Sequence, residues 1–142
     1  MSEVWSEETV RALMEEYIPF NRFLGMKVGA VDDEGVRLVL PFRDEFVGDP
    51  VRRALHGGLI STLIDTAGGM AAFLGLEQDQ RVSTVDLVVD YLRPGPPEDI
   101  EACARVVRRG NRVCISTVEV RPAKGGEAFA QGRGVYNITR VG

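Results

Sequence analysis

Two short stretches of this sequence hold residue types that can do chemistry. Asp65 sits among Leu63, Ile64, Ala67, Gly68 and Gly69. A lone carboxylate in apolar surroundings is costly unless it is paired, hydrogen-bonded or at a surface. Desolvation is also how proteins turn a carboxylate into a usable base near neutral pH. A carboxylate that merely caps or hydrogen-bonds within a dimer seam fits the same residues, so the position alone leaves both roles open. The second stretch is His56-Gly57-Gly58, at the head of a long apolar segment. Glycines at a helix start let a ligand approach the backbone closely. The N–H groups there have no partner inside the helix, and the positive end of the dipole stands behind them. That arrangement suits a developing oxyanion, such as the tetrahedral intermediate of acyl transfer. His56, the only histidine in the chain, is equally compatible with a satisfied structural side chain.

The spacing adds a constraint. Asp65 is nine residues after His56, about 900° of rotation and about 13.5 Å of rise along a helix. The two side chains therefore point to opposite faces and cannot meet within one straight helix. Two subunits related by a twofold axis can set one Asp65 against the other's helix start, so catalysis by both residues requires at least a dimer.

The elements that must position these residues follow from periodicity. Residues 56–76 are apolar all the way round, which predicts a buried central helix. Gly68-Gly69 inside it cost about 1 kcal/mol each relative to alanine, and so predict a close backbone approach. Earlier, Ser6-Glu7-Glu8-Thr9 opens a helical pattern with acidic residues in its first turn. Val10, Leu13, Met14 and Tyr17 continue it and Pro19 closes it, giving an N-terminal helical segment over residues 1–22. Residues 27–41 read as a hairpin turning at Asp32-Asp33-Glu34-Gly35, and residues 43–55 as a loop. Strands over residues 82–92, 100–107, 113–120 and 128–138, separated by proline and glycine turns, predict an antiparallel meander. An apolar helix and a one-faced sheet must bury each other. The expected fold is α+β, an antiparallel sheet wrapped around the central helix, in a single domain over residues 1–142.

Composition excludes several classes. Hydrophobic residues at 44% and charged residues at 27% supply a core without a metal or disulfide. A net charge of -4 argues against a nucleic-acid partner or an anionic membrane surface. No apolar run reaches the ~18 residues that span a bilayer, and the acidic start, Met1-Ser2-Glu3-Val4-Trp5-Ser6-Glu7-Glu8, has no signal segment. A cytoplasmic location is the resulting expectation. Cys103 and Cys114 lie in apolar strand-like runs and are expected to be reduced, small hydrophobes.

Leu55-His56-Gly57-Gly58, then Asp65, then Gly68-Gly69 is similar to the signature of hotdog-fold thioesterases of the phenylacetate-pathway (PaaI-like) type. The resemblance runs over about residues 23–136, through the strand at 82–94, the Arg108-Arg109-Gly110 turn and the closing Ala130-Gln131-Gly132-Arg133-Gly134. It implies an acyl-CoA thioesterase in which Asp65 is general base or nucleophile. The Gly57 N–H would polarise the thioester carbonyl, with His56 positioning it and Gly58 beside it. Thr84, or its neighbour Ser83, would orient water. The site would lie between subunits of a homodimer, often paired into a dimer of dimers. No metal or separate cofactor is implied, since coenzyme A belongs to the substrate. Relatives often carry an asparagine about six residues before the histidine; here Pro50 stands there and the nearest polar side chain is Asp49. Either Asp49 substitutes or the enzyme works without that group.

Coenzyme A phosphates need cations, and Arg93, Arg108, Arg109 and Arg112 are the candidates. Ordinary solvated turn charges are the competing explanation. Phe20, Phe23, Phe46, Phe73 and Tyr91 are candidate acyl-pocket residues or core. Two other functions on the same fold stay open: a hydratase or dehydratase of acyl thioesters, and a non-catalytic acyl-CoA binding module.

Overall fold

The computed structural model describes residues 5–33 and 35–141. Residues 1–4 of the acidic start, Glu34 of the hairpin turn and residue 142 lie outside the described residues. Ser6 caps the first helix, α1 (Glu7–Ala12), its hydroxyl accepting from the Thr9 N–H at 3.1 Å. A π-helical turn, Leu13–Tyr17, follows. Pro19 does more than close this segment. Its fixed φ suits the first position of a helix, where no N–H is needed. It opens α2 (Pro19–Leu24), which ends on Gly25 at φ 82°. The N-terminal helical segment thus runs past residue 22.

The strands are β1 (Lys27–Asp32), β2 (Gly35–Leu40), β3 (Val47–Asp49), β4 (Ala54–Leu55), β5 (Gln80–Tyr91), β6 (Ile100–Arg109), β7 (Val113–Pro122) and β8 (Ala130–Arg140). The central helix is α3 (Gly57–Phe73), shorter than the expected 56–76 because His56 caps it and Leu74 closes it. The stretch expected to be a plain loop holds a 3-10 turn, Asp44–Phe46, and the small β3–β4 hairpin.

Six strands form one antiparallel sheet in the order β1-β2-β6-β7-β8-β5. The meander expected from the glycine turns is β6-β7-β8, joined through Gly110 and through Gly125-Gly126, of which Gly125 and Gly126 are at positive φ. One sheet face is apolar by alternation: Leu38 and Leu40 on β2, Val118 and Val120 on β7, Ala130 and Tyr136 on β8 are all buried. That face closes on α3, which packs against β2, β5, β6, β7 and β8. A helix that touches five strands of one sheet is the α+β wrapping expected.

The helix is not equally buried all round. Ile60, Leu63, Ile64, Ala67, Met70 and Ala71 are buried. Ser61, Thr62, Asp65, Thr66, Gly69 and Phe73 are only half-buried, and recur at helical spacing along one stripe. No helix among the described residues is long and apolar enough to cross a membrane. Cys103 and Cys114 are free, and burial pushes both thiols above their ordinary range.

Candidate active site

Asp65 lies on the half-buried stripe of α3, at the wall of a cleft of about 370 Å³. It is not the enclosed carboxylate that its neighbours in sequence suggest. Three elements bound the cleft: the N-terminal segment through Leu13, Met14 and Ile18, the α3 stripe, and β5 through Val82, Ser83 and Thr84. Thr84 donates its hydroxyl proton to Asp65 Oδ1 at 2.8 Å. A break in the β5–β8 register between Thr84 and Asp86 leaves Val85 as an extra residue, and such a bulge re-aims the side chains beside it. Ser83 also lines the cleft, but Thr84 is the hydroxyl that reaches the carboxylate.

Tyr136 holds the helix at this point and was not singled out by sequence. It pairs with Thr84 across β8 and β5, and its hydroxyl donates to the Asp65 backbone carbonyl at 3.1 Å. Burial, reinforced by the Asp65 charge, pushes that phenol far above its ordinary range, so it stays a neutral donor. A Cβ on Gly68 or on Gly134 would collide with the Tyr136 hydroxyl. Ser116 further pins the Gly68 carbonyl at 2.8 Å. The close approach at Gly68 is therefore by the Tyr136 and Val118 side chains, not by the other backbone that was expected. The paired glycines Gly68 and Gly134 were the signal in sequence. Asn21 was missed too: it is 3% exposed, lines the cleft, and its amide nitrogen reaches the Met14 sulfur at 3.9 Å.

The helix start forms a separate structure. His56 is the N-cap of α3, and its Nδ1 accepts the Gly58 N–H at 2.8 Å. The imidazole proton therefore sits on Nε2. The Gly58 carbonyl accepts from Ser61 and Thr62 hydroxyls at 3.0 and 2.8 Å. Tyr91, at the far end of β5, donates to the Gly57 carbonyl at 2.8 Å. Within the described residues no hydrogen bond engages the Gly57 N–H, the first donor of the helix. Gly48 is needed behind this corner, because a Cβ there would come 2.6 Å from the His56 Cα.

The cleft beside Asp65 does not include His56, Gly57 or Gly58. Asp65 and Thr84 come together within one chain, and the helix start remains apart, as the rise along one helix requires. Asp49 accepts the Val51 and Arg52 N–H groups at 3.0 and 3.2 Å and pairs with the Arg52 guanidinium at 2.8 Å. That guanidinium holds its carboxyl below the usual range. Its oxygens are thus engaged in its own turn.

The arginines are spread out. Arg93 pairs with Glu127 at 2.9 Å and donates to the Ala128 carbonyl. Arg109 donates to the Ala72 carbonyl at 3.0 Å, a cation at the negative end of α3. Along the helix that is about 24 Å from His56. Arg108 and Arg112 are exposed at the β6–β7 turn. Of the aromatic candidates, Phe73 lines the cleft, Phe46 belongs to the core, and Phe20 and Phe23 are exposed. Among the described residues, no three of histidine, cysteine, aspartate and glutamate cluster as a metal site would need.

A hotdog-type sheet around one helix, with a carboxylate mid-helix and a free N–H at its start, defines a class. The chain belongs to the thioesterase superfamily, whose family model matches residues 53–129 and so spans His56, Gly57, Asp65 and Thr84. The Escherichia coli medium/long-chain acyl-CoA thioesterase YigI is 33% identical over 137 residues, covering 84% of this chain and 88% of that protein. A Shewanella oneidensis protein described as related to the thioesterase superfamily superposes with a TM-score of 0.81 at 31% identity, over 95% of this chain and 94% of that one. The Bacillus halodurans protein BH2602, solved with CoA, gives a TM-score of 0.67 at 29% identity, over 72% and 66%. With these relatives the protein is an enzyme, a hydrolase of thioesters.

Proposed function

We propose that the protein hydrolyses acyl-coenzyme A thioesters, with Asp65 of one subunit acting opposite the His56-Gly57 helix start of another. The observation that carries this reading is the Thr84–Asp65 hydrogen bond of 2.8 Å inside a cleft. Thr84 spends its only proton on Asp65 Oδ1, so its oxygen can only accept from water. A water held between that oxygen and the free side of the carboxylate is aimed and deprotonated together. Its oxygen adds to the thioester carbonyl carbon while its proton passes to Asp65. The oxyanion forms against the Gly57 N–H, which His56 leaves open by taking the Gly58 N–H instead. The C–S bond then breaks, and the coenzyme A thiolate takes up the proton. The acyl-CoA thioesterase named among the relatives and the coenzyme A bound in another support the substrate.

The twofold requirement has support in β5. This strand ends the sheet, with its outer edge unpaired among the described residues, and exposes Val85 (65%), Val88 (44%) and Tyr91 (52%). A long apolar edge is a template for another strand. Thr84 marks the Asp65 half-site and Tyr91 marks the Gly57 half-site. Antiparallel pairing of two copies about an axis between Leu87 and Val88 sets Thr84 of each opposite Tyr91 of the other. The same pairing faces each Asp65 toward a partner's helix start. The homodimer is thus the smallest active unit. Arg93, just beyond the Tyr91 end of β5, would meet a coenzyme A phosphate by exchanging its Glu127 partner. A cytoplasmic location suits two unpaired thiols, one of them buried.

The test is thiol release from a panel of alkyl, benzoyl and phenylacetyl-CoA, with wild type and Asp65→Asn side by side. Turnover that disappears in the variant is expected. A flat panel in wild type refutes the hydrolase reading and points to a hydratase or a binding module.

A further inference from the structure

The cleft wall between Asp65 and Phe73 follows one face of α3. Asp65, Gly69 and Phe73 line it in successive turns, so carboxylate and phenyl ring stand about 12 Å apart along the axis. Leu13, Met14 and Ile18 form the opposite wall. At the far end Phe73 is backed by Trp5, with ring centroids 4.9 Å apart and planes tilted by 42°, a contact that holds both rings in place.

Gly69, midway, has no packing reason to be glycine. Its neighbour Gly68 must be glycine to admit Tyr136. At Gly69 the nearest atom to an added Cβ is Tyr136 Cε1 at 3.4 Å, an ordinary contact. Alanine fits there and favours a helix more. What the glycine leaves is the width of one methyl group beside the Tyr136 ring, on the cleft wall between the carboxylate and Phe73.

We propose that Gly69 and the Phe73–Trp5 pair form a ruler for a straight aliphatic acyl chain, with Gly69 as the passage and the two rings as the end-stop. An extended chain advances about 1.2 Å per bond, so the span from Asp65 to Phe73 takes about ten carbons. A cleft of about 370 Å³ lies in the ordinary range for a small-molecule site. The inference rests on Asp65 marking the thioester end, as read above.

The experiment measures kcat/KM for saturated acyl-CoA substrates from butanoyl to hexadecanoyl, for wild type, Phe73→Ala and Gly69→Ala. Wild type peaks near octanoyl to decanoyl. Phe73→Ala removes the stop and moves the peak to dodecanoyl or longer, changing the hexadecanoyl-to-decanoyl ratio by about tenfold or more. Gly69→Ala puts a methyl group about 6 Å past the carboxylate and moves the peak to hexanoyl or shorter, while its thermal midpoint rises. A loss of stability alone changes the height of a profile and not the position of its peak, so opposite shifts report the channel. Wild-type turnover with a peak that neither variant moves overturns the ruler and leaves the hydrolase standing. No turnover of any chain length by wild type overturns both.

Discussion

The surroundings of Asp65 and the start of α3 are built in opposite ways. Asp65 is held from three sides within one chain: Thr84 on its carboxylate, Tyr136 on its carbonyl, and Ser116 on the Gly68 carbonyl one turn on. The helix start is held, among the described residues, through the Gly58 N–H and the Gly57 carbonyl, and not through the Gly57 N–H. His56 and Tyr91 occupy the Gly58 N–H and the Gly57 carbonyl, and the Gly57 N–H is left for something outside. One half is complete, the other is an open donor, and a single helix keeps them apart. A donor poised without a partner is a place where a ligand or another subunit supplies the acceptor.

Substitutions can break each half separately. The largest effect is expected for Asp65→Asn, which keeps the shape and the Thr84 contact but removes the base; kcat should fall by about 10³-fold, with a thermal midpoint near wild type. Next is Gly57→Pro. Proline suits the first position of a helix, and His56 already has the extended ψ of 129° that a following proline demands. The substitution deletes the proposed oxyanion donor and little else, so kcat should fall by about 10²-fold in a folded protein. Normal turnover there refutes the donor role. Thr84→Val is smaller, about tenfold in kcat, because water loses one of its two holders while the base remains. A steady-state comparison of the three on one substrate ranks them.

The smallest expected effect concerns stability. Burial raises the Cys103 and Cys114 thiols above their ordinary 9.0, and raises the Tyr136 phenol above its ordinary 10.0. Folded, these groups stay protonated where the unfolded chain ionises. The unfolded state then binds fewer protons, so stability falls as pH rises through 9 and 10. Urea midpoints measured across that range should decline. A constant midpoint would mean these groups titrate alike in both states.

The contrast also explains what could be read from the sequence. The central helix, the alternating strands and the Ser6 cap rest on local periodicity and capping, which a linear pattern carries. The separation of Asp65 from His56 follows from helical geometry alone. Pro19 misled because proline both ends and begins helices, and only the chain after it decides. The half-exposure of Asp65 depends on which stripe of α3 the sheet leaves uncovered, and the position of β5 beside β8 is a long-range pairing. Tyr136 was hidden for the same reason: it acts on Asp65 from 71 residues away. Asp49 looked available next to Pro50, until its own turn engaged both oxygens.

The most direct test of a site shared between subunits is mixing. Asp65→Asn and Gly57→Pro, each inactive alone, are refolded together or co-expressed in equal amounts, and turnover is compared with the separate parents. If Asp65 of one subunit works with Gly57 of the other, each mixed dimer regains one intact site, and the mixture returns to about a quarter of wild-type turnover. If the mixed sample, shown to contain heterodimers, gives no more than the sum of its parents, the two halves do not meet across the twofold and the shared site is wrong.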